Sequence, residues 1–295
     1  MPSGRAEWIA TAKAIYGRFN EVQLTDRAAA QTYYSILSLF PALLVIVALL
    51  SLLGRYPETY QSIVNTLRDA APGTAVDTID SALRDALSNQ SNAGFLLVVG
   101  VVLAFYSASG AMGAAMRSLE AINRAKRGRD FLPNLGVRLG LTLLVTLLVL
   151  VAFLSVVIAG PLFGSIADAA GFPSFVKALV GYLRWPVGAA ALLSAFAIVY
   201  ALAPRRTPVP GDRSLRSVLP GAAVGTALWF AVSLLFTLYV SHFGSYDKTY
   251  GTLGAMISLL IWLWLGNLAF LLGALFNAEG HRAVDTEGQR AVDKA

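Results

Sequence analysis

The chain has 295 residues, of which 56% are hydrophobic and 14% are charged, and its mean hydropathy is +0.63. About 25% of the residues in soluble domains are charged, so this composition excludes an ordinary soluble fold and predicts a protein embedded in a membrane. There is no cysteine, which excludes disulfides, thiolate nucleophiles and cysteine-ligated metal sites.

Six intervals contain no Asp, Glu, Lys or Arg: residues 28–54, 86–116, 139–167, 185–204, 217–246 and 249–278. Each is long enough to cross a bilayer, because an α-helix of about 20 apolar residues spans about 30 Å of hydrocarbon. We therefore predict an all-α fold, a polytopic membrane protein with six transmembrane helices in residues 28–279. The spans are predicted at about 29–53, 93–115, 137–160, 183–203, 217–242 and 250–277.

Residues 1–27 are predicted to form a cytoplasmic amphipathic N-terminal segment. Five apolar residues alternate at intervals of four and three and so form one helical face: Trp8, Ala12, Ile15, Phe19 and Val22. A basic helix of this kind suits the inner membrane surface, and it equally suits packing against the cytoplasmic ends of the bundle. Both alternatives stay open.

The first outer loop, residues 55–92, is long and contains two amphipathic patterns separated by Pro72 and Gly73. These patterns predict two short amphipathic helices. They could form a lid over an external opening or a helical cap. Residues 280–295 are predicted to form a cytoplasmic polar tail.

Basic residues predict the orientation of the spans. If the six spans alternate, 17 of the 23 Lys and Arg residues lie on the side of the termini. Basic residues are retained in the cytoplasm, so both termini are expected there. This rule also explains the net charge of +6 better than nucleic-acid binding does. The same residues are candidates for contacts with anionic lipid headgroups: Arg117, Arg124, Lys126, Arg127, Arg205 and Arg206.

Candidate chemistry is sparse. The two histidines, His242 and His281, lie at opposite ends of the predicted bundle and cannot share a metal. Without cysteine or a histidine cluster, no metal site, no cofactor and no catalytic centre is expected. No acidic residue lies inside a predicted span, which argues against a proton-relay pump.

Several segments resemble the YihY/BrkB family of bacterial inner-membrane proteins. The resemblance covers about residues 10–280 and is carried by AAAQTYYSILSLFPALLVIVALL at 28–50, YSASGAMGAAMRSLEAINRA at 106–125, LRWP at 183–186, LPGAAVGTALWF at 219–230 and LYVSHFGSYDKTYGTLGAMISLLIWLWLGNLAFLLGALFNAE at 238–279. It is strongest in the last two spans.

The resemblance implies six spans in the bacterial cytoplasmic membrane and a link to virulence, envelope functions and suspected transport of lipid or other envelope material. Some members of the family carry a ribonuclease BN label, which this sequence does not support because it lacks the metal-binding histidine motif. Many relatives have a glutamate where this chain has Leu275. A family mechanism that requires that carboxylate is therefore not expected here, whereas Glu279 is retained.

The neutral polar residues of spans one, two and six predict either interhelical hydrogen bonds or a solvated substrate path. We favour a non-enzymatic transporter or exporter of an amphiphilic, envelope-related substrate, with membrane lipids and envelope proteins as partners and no nucleic acid. The alternative is an envelope assembly or scaffold protein that transports nothing. Candidate residues of the path or its gate are Tyr33, Tyr34, Pro41, Ser107, Gly110, Tyr246, Tyr250, Gly251, Gly254 and Asn267.

Overall fold

The computed structural model describes residues 15–52, 93–124, 131–153, 155, 173–204, 215–243 and 247–292. The first half of the predicted amphipathic segment and the loop 55–92 lie outside the described residues.

Every regular element in these ranges is a helix, which confirms the predicted all-α fold. The helices, in chain order, are α1 (15–21), α2 (Leu24–Leu52), α3 (Ala93–Ile122), α4 (Phe131–Phe153), α5 (Ser174–Leu202), α6 (Leu215–Phe243) and α7 (Asp247–Val292).

Within the described ranges, five helices contain a stretch that is long and apolar enough to cross a membrane. These stretches are Val98–Ile122, Pro133–Ala152, Ala178–Leu202, Leu215–Tyr239 and Met256–Gly280. Helix α2 covers the interval of the predicted first span, and its 29 residues correspond to a length of about 43 Å. A count of six spans stays a prediction.

Two helices extend well beyond the predicted intervals. Helix α5 begins at Ser174 instead of near 183, and α7 continues to Val292 instead of ending near 277. The reason is that a charge-free interval marks the part of a helix that lies in hydrocarbon. Backbone hydrogen bonding continues through polar residues where water is available.

The described residues form two compact units. The first comprises Met1–Thr25, Ala115–Phe230 and Leu268–Ala295, and therefore includes α1, α4 and α5. The second comprises Asp26–Ala114 and Ala231–Asn267, and therefore includes most of α2. Helices α3, α6 and α7 contribute to both units.

In the first unit, α6 and α7 approach each other through glycines. A Cβ added at Gly273 would lie 2.5 Å from the carbonyl oxygen of Gly221 and 2.7 Å from the Cα of Gly225. No other residue type fits this contact, because a methyl group would overlap the facing backbone. Small residues spaced by four allow membrane helices to pack in this way. The same spacing at Gly136 and Gly140 in α4 has a different environment, since a Cβ there would meet nothing within 4 Å.

An aromatic cluster flanks this glycine contact. The hydroxyl of Tyr200 donates a hydrogen bond to the carbonyl oxygen of Phe270 and lies 2.9 Å from the position of a Cβ at Gly225. The rings of Phe196 and Phe270 are edge to face, with centroids 5.0 Å apart. The cluster joins α5 to α7 beside the point where α6 and α7 touch.

Replacing Gly273 with alanine is expected to lower the free energy of unfolding by about 2–3 kcal/mol, because the methyl group would overlap the backbone of α6. Gly280→Ala is the matched control on the same helix, where the methyl group would have open space. Its expected effect is a gain of up to about 1 kcal/mol from helix propensity. Thermal unfolding in detergent, followed by circular dichroism, measures both. Equal midpoints for the two variants would contradict the close contact.

Candidate functional site

In the second unit, two of the predicted path residues contact each other. The ring of Tyr34 in α2 lies against Gly110 in α3, where an added Cβ would be 2.9 Å from Tyr34 Cδ1. The neighbouring Tyr33 is 61% exposed, and its ring is edge to face with that of Tyr34 at 5.4 Å. The tyrosine pair therefore has one ring packed between helices and one ring on the helix surface.

A hydrogen bond joins α7 to α2 in the same unit. Asn267 Nδ2 donates to Thr32 Oγ1 at 3.1 Å, and Thr32 is 5% exposed. The Thr32 hydroxyl in turn donates to the carbonyl oxygen of Ala28 at 2.8 Å. Thr32 thus acts as donor within its own helix and as acceptor for the neighbouring helix. Thr32 is one of the neutral polar residues of the first predicted span, but the sequence does not identify Asn267 as its partner.

The other hydroxyls nearby are satisfied within their own helices. Ser35 donates to the carbonyl of Gln31 at 2.9 Å, and Ser38 donates to that of Ser35 at 2.7 Å. In α3, Ser109 donates to the carbonyl of Tyr106 at 2.7 Å. A hydroxyl without a partner in hydrocarbon costs several kcal/mol, so these bonds allow the polar residues to be accommodated.

The other predicted path residues are described only by their position in the chain. Pro41 lies within α2, Ser107 is half-buried on α3, and Tyr250, Gly251 and Gly254 lie in the first turns of α7. Tyr246 lies outside the described residues.

The predicted headgroup contacts are described in part. Arg117 and Arg124 are both exposed at the end of α3, and Arg124 Nη2 lies 3.6 Å from Glu21 Oε2. Their exposure is compatible with contacts to anionic lipid, which stay a prediction. Lys126, Arg127, Arg205 and Arg206 lie outside the described residues.

Arg18 forms a buried cluster in the first unit. It is 7% exposed, and its Nη2 donates to the carbonyl oxygens of Ile122 at 3.2 Å and Ala121 at 3.5 Å. Its Nε lies 3.4 Å from Glu279 Oε1, whose side chain is 10% exposed, and Nη1 pairs with Glu21. One guanidinium therefore connects α1 to the end of α3 and to α7.

Local backbone structure positions both sides of this cluster. Gln23 has a φ of 51° and makes the tight turn from α1 to α2, and Arg124 has a φ of 49° and ends the helical path of α3. The last carbonyls of a helix have no partner within the helix and carry the negative end of its dipole. The guanidinium of Arg18 therefore caps α3 as well as pairing with Glu279.

Sequence reasoning missed the Arg18 cluster, although a signal was present. Arg18 follows Ile15 by three residues and precedes Val22 by four, which places it on the apolar face of the amphipathic segment. A charged residue on an apolar face is a candidate for a buried pair. Glu279 was expected to be retained, but its partner was not identified.

Leu275, where many relatives are expected to carry a glutamate, is fully buried. In the described ranges no group of three or more His, Cys, Asp or Glu residues could hold a metal ion. The absence of an enzymatic activity stays a prediction.

A family model described as "Virulence factor BrkB" matches residues 15–295 of this chain. The match includes all seven helices, and therefore also Arg18 in α1. No solved structure matches the chain.

Individual relatives cover most of the chain. It is similar to a ribonuclease-like protein, YfkH, of Bacillus subtilis, with 31% identity over 92% of this chain and 94% of the relative. It is also similar to UPF0761 membrane proteins of Aliivibrio salmonicida (29% identity, 87% and 78% covered) and Pseudoalteromonas translucida (28% identity, 87% and 81% covered).

Replacing Arg18 with alanine is expected to lower the free energy of unfolding by about 3 kcal/mol, since the carbonyls of α3 and the carboxylate of Glu279 would lose a buried cation. Arg18→Lys keeps the charge but cannot form the same fork of hydrogen bonds, so an intermediate loss is expected. The control, Arg124→Ala, removes an exposed pair and is expected to cost at most about 1 kcal/mol. Thermal unfolding in detergent measures all three, and a loss for Arg18→Ala no larger than that for Arg124→Ala would refute the buried clamp.

Thr32→Val removes the acceptor for Asn267 and is expected to cost about 1 kcal/mol. Thr237→Val is the matched control, because Thr237 makes the same bond to its own helix, to the Ser233 carbonyl at 2.8 Å, and is exposed. A double-mutant cycle with Asn267→Leu isolates the pair, and additive effects in that cycle would argue against the interhelical bond.

Proposed function

We propose that this protein is a transporter. The proposal starts from its family: the chain belongs to the BrkB virulence factor family of membrane proteins, because the family model covers residues 15–295. In this proposal the protein moves an amphiphilic, envelope-related substrate such as a lipid across the bacterial cytoplasmic membrane, with both termini in the cytoplasm. It acts without a cofactor and without catalysis, and its partners are membrane lipids and envelope proteins.

The observation that carries the proposal is the group of uncharged polar side chains on α2, α3 and α7. Thr32, Tyr34 and Asn267 lie in intervals without charged residues. Thr32 and Asn267 join α2 to α7, and Tyr34 packs against α3. Neutral hydroxyl and amide groups can hydrogen-bond a headgroup without the high cost of burying a charge.

The chemistry of the spans favours an amphiphilic substrate over an ion. Tyr33 is 61% exposed beside the packed Tyr34, so a phenol and an aromatic face are available at the helix surface. The predicted spans contain no acidic residue that could carry protons or bind a metal cation. A molecule with an apolar tail needs only its headgroup to be accommodated.

Scaffolding is the second candidate function, and a specific observation favours it. The polar residues near Thr32 already have hydrogen-bond partners, and Arg18 ties α1 to α3 and α7. Polar side chains that pair with one another need no substrate, which suits a protein that docks other envelope proteins. The ribonuclease-like name belongs to the Bacillus relative, and we propose no such activity for this chain.

Purified protein in liposomes is expected to accelerate the transfer of a fluorescent phospholipid, or of a labelled lipid-linked sugar, between leaflets by several-fold over empty liposomes. Dithionite quenching of the fluorophore measures the transfer. Asn267→Leu is expected to reduce the rate because it removes a polar contact of α7, whereas Thr237→Val serves as the control and is expected to retain it.

Protein that is folded and reconstituted but accelerates neither probe would refute transport of these substrates. Recovery of a stoichiometric envelope protein after mild detergent extraction would then support scaffolding.

A further inference from the structure

Arg184 lies at the boundary of an apolar interval in α5. The residues that follow it, 185–204, contain no charged side chain, and Arg205 ends the interval. Twenty residues at about 1.5 Å each correspond to about 30 Å, the thickness of the hydrocarbon layer. Arg184 is therefore placed at the level where hydrocarbon meets lipid headgroups, within the candidate span Ala178–Leu202.

The guanidinium of Arg184 has no acidic partner within the described part of the chain. Its Nε is buried and makes no hydrogen bond there. The contact that is present is with an aromatic ring, since Cζ lies 5.5 Å from the ring centroid of Trp185. A cation–π contact stabilises the charge but provides no anion. A charged side chain near hydrocarbon requires a counter-charge or access to the interface.

Two aromatic residues close to Arg184 in the sequence of α5 are exposed. Tyr182 is 79% exposed and Trp185 is 52% exposed. Pro186 has no N–H, so the carbonyl oxygen of Tyr182 lacks its usual donor within the helix. Exposed Tyr and Trp rings favour the headgroup level of a bilayer, where one end of the ring is in contact with polar groups.

We propose that Arg184 binds the phosphate of a phospholipid headgroup in the leaflet at the N-terminal end of α5, with the rings of Trp185 and Tyr182 against the glycerol region. The planar guanidinium can donate two parallel hydrogen bonds to phosphate oxygens, and the charges are complementary. This site is separate from the basic residues at the opposite end of the spans, and it does not depend on the proposed transport function.

A phosphatidylglycerol and a diacylglycerol, each carrying the same photoactivatable group in the acyl chain near the glycerol, test the site in the full-length protein. Phosphatidylglycerol is expected to cross-link to the peptide containing residues 175–187 about tenfold more than diacylglycerol does, as a charge-assisted contact predicts. Equal yields for the two lipids would overturn the proposal without the use of any variant.

Two variants and a control sharpen the test. Arg184→Gln is expected to lower the phosphatidylglycerol yield at 175–187 to the diacylglycerol level, and Arg184→Lys, which keeps the charge but loses the fork, is expected to give an intermediate yield. Arg216→Gln, at an exposed arginine of α6, is expected to leave the yield at this peptide unchanged.

A carboxylate elsewhere in the chain is the competing partner for Arg184. In that case Arg184→Gln would lower the thermal midpoint in lipid-free detergent and leave the cross-linking yield unchanged, which would overturn the proposal. If Arg184→Gln does not fold, the comparison of the two lipids in the wild-type protein and in Arg184→Lys decides the outcome.

Discussion

Hydrocarbon offers no hydrogen-bond partner, and this constraint accounts for most of the hydrogen bonds that the described polar residues make. Backbone groups are paired within helices, and Thr32, Ser35 and Ser109 donate to carbonyls of their own helices. The longer polar groups reach a neighbouring helix instead, as Asn267 does to Thr32 and Tyr200 does to the Phe270 carbonyl. Because apolar side chains gain little from each other in lipid, these bonds and the close glycine contacts hold the helices together.

The need for hydrogen-bond partners also applies to the backbone groups at helix ends. The last carbonyls of α3 have no donors within the helix, and Arg18 supplies them from α1 while Glu279 balances its charge. The clamp gives α1 a structural role, because Arg18 joins it to α3 and α7. Whether the segment 1–27 as a whole packs against the bundle or lies along the membrane surface stays a prediction.

The sequence predicts the helices well because an uncharged apolar run of about 20 residues or more is long enough to cross a bilayer as a helix. It predicts contacts between helices poorly, because they depend on the rotation and register of two helices at once. The pairs Gly136 with Gly140 and Gly221 with Gly225 have the same spacing. In the described residues a partner backbone lies against the second pair, whereas a Cβ at either glycine of the first pair would meet nothing within 4 Å. Thr32 and Asn267 are 235 positions apart, and nothing in either neighbourhood identifies the other as its partner.

Arg18 and Arg184 show how the location of a charge decides its partner. Arg18 lies on a helical face that packs against other helices, where two carbonyls and two carboxylates contact its guanidinium, although its Nε makes no hydrogen bond in the described residues. Arg184 lies on a helix with exposed aromatic neighbours, and the described residues supply only the ring of Trp185. A cation whose surroundings open toward the headgroup region can be satisfied by phosphate at little structural cost. In our proposal, a lipid phosphate is the partner of Arg184, as the carboxylates of Glu21 and Glu279 are the partners of Arg18.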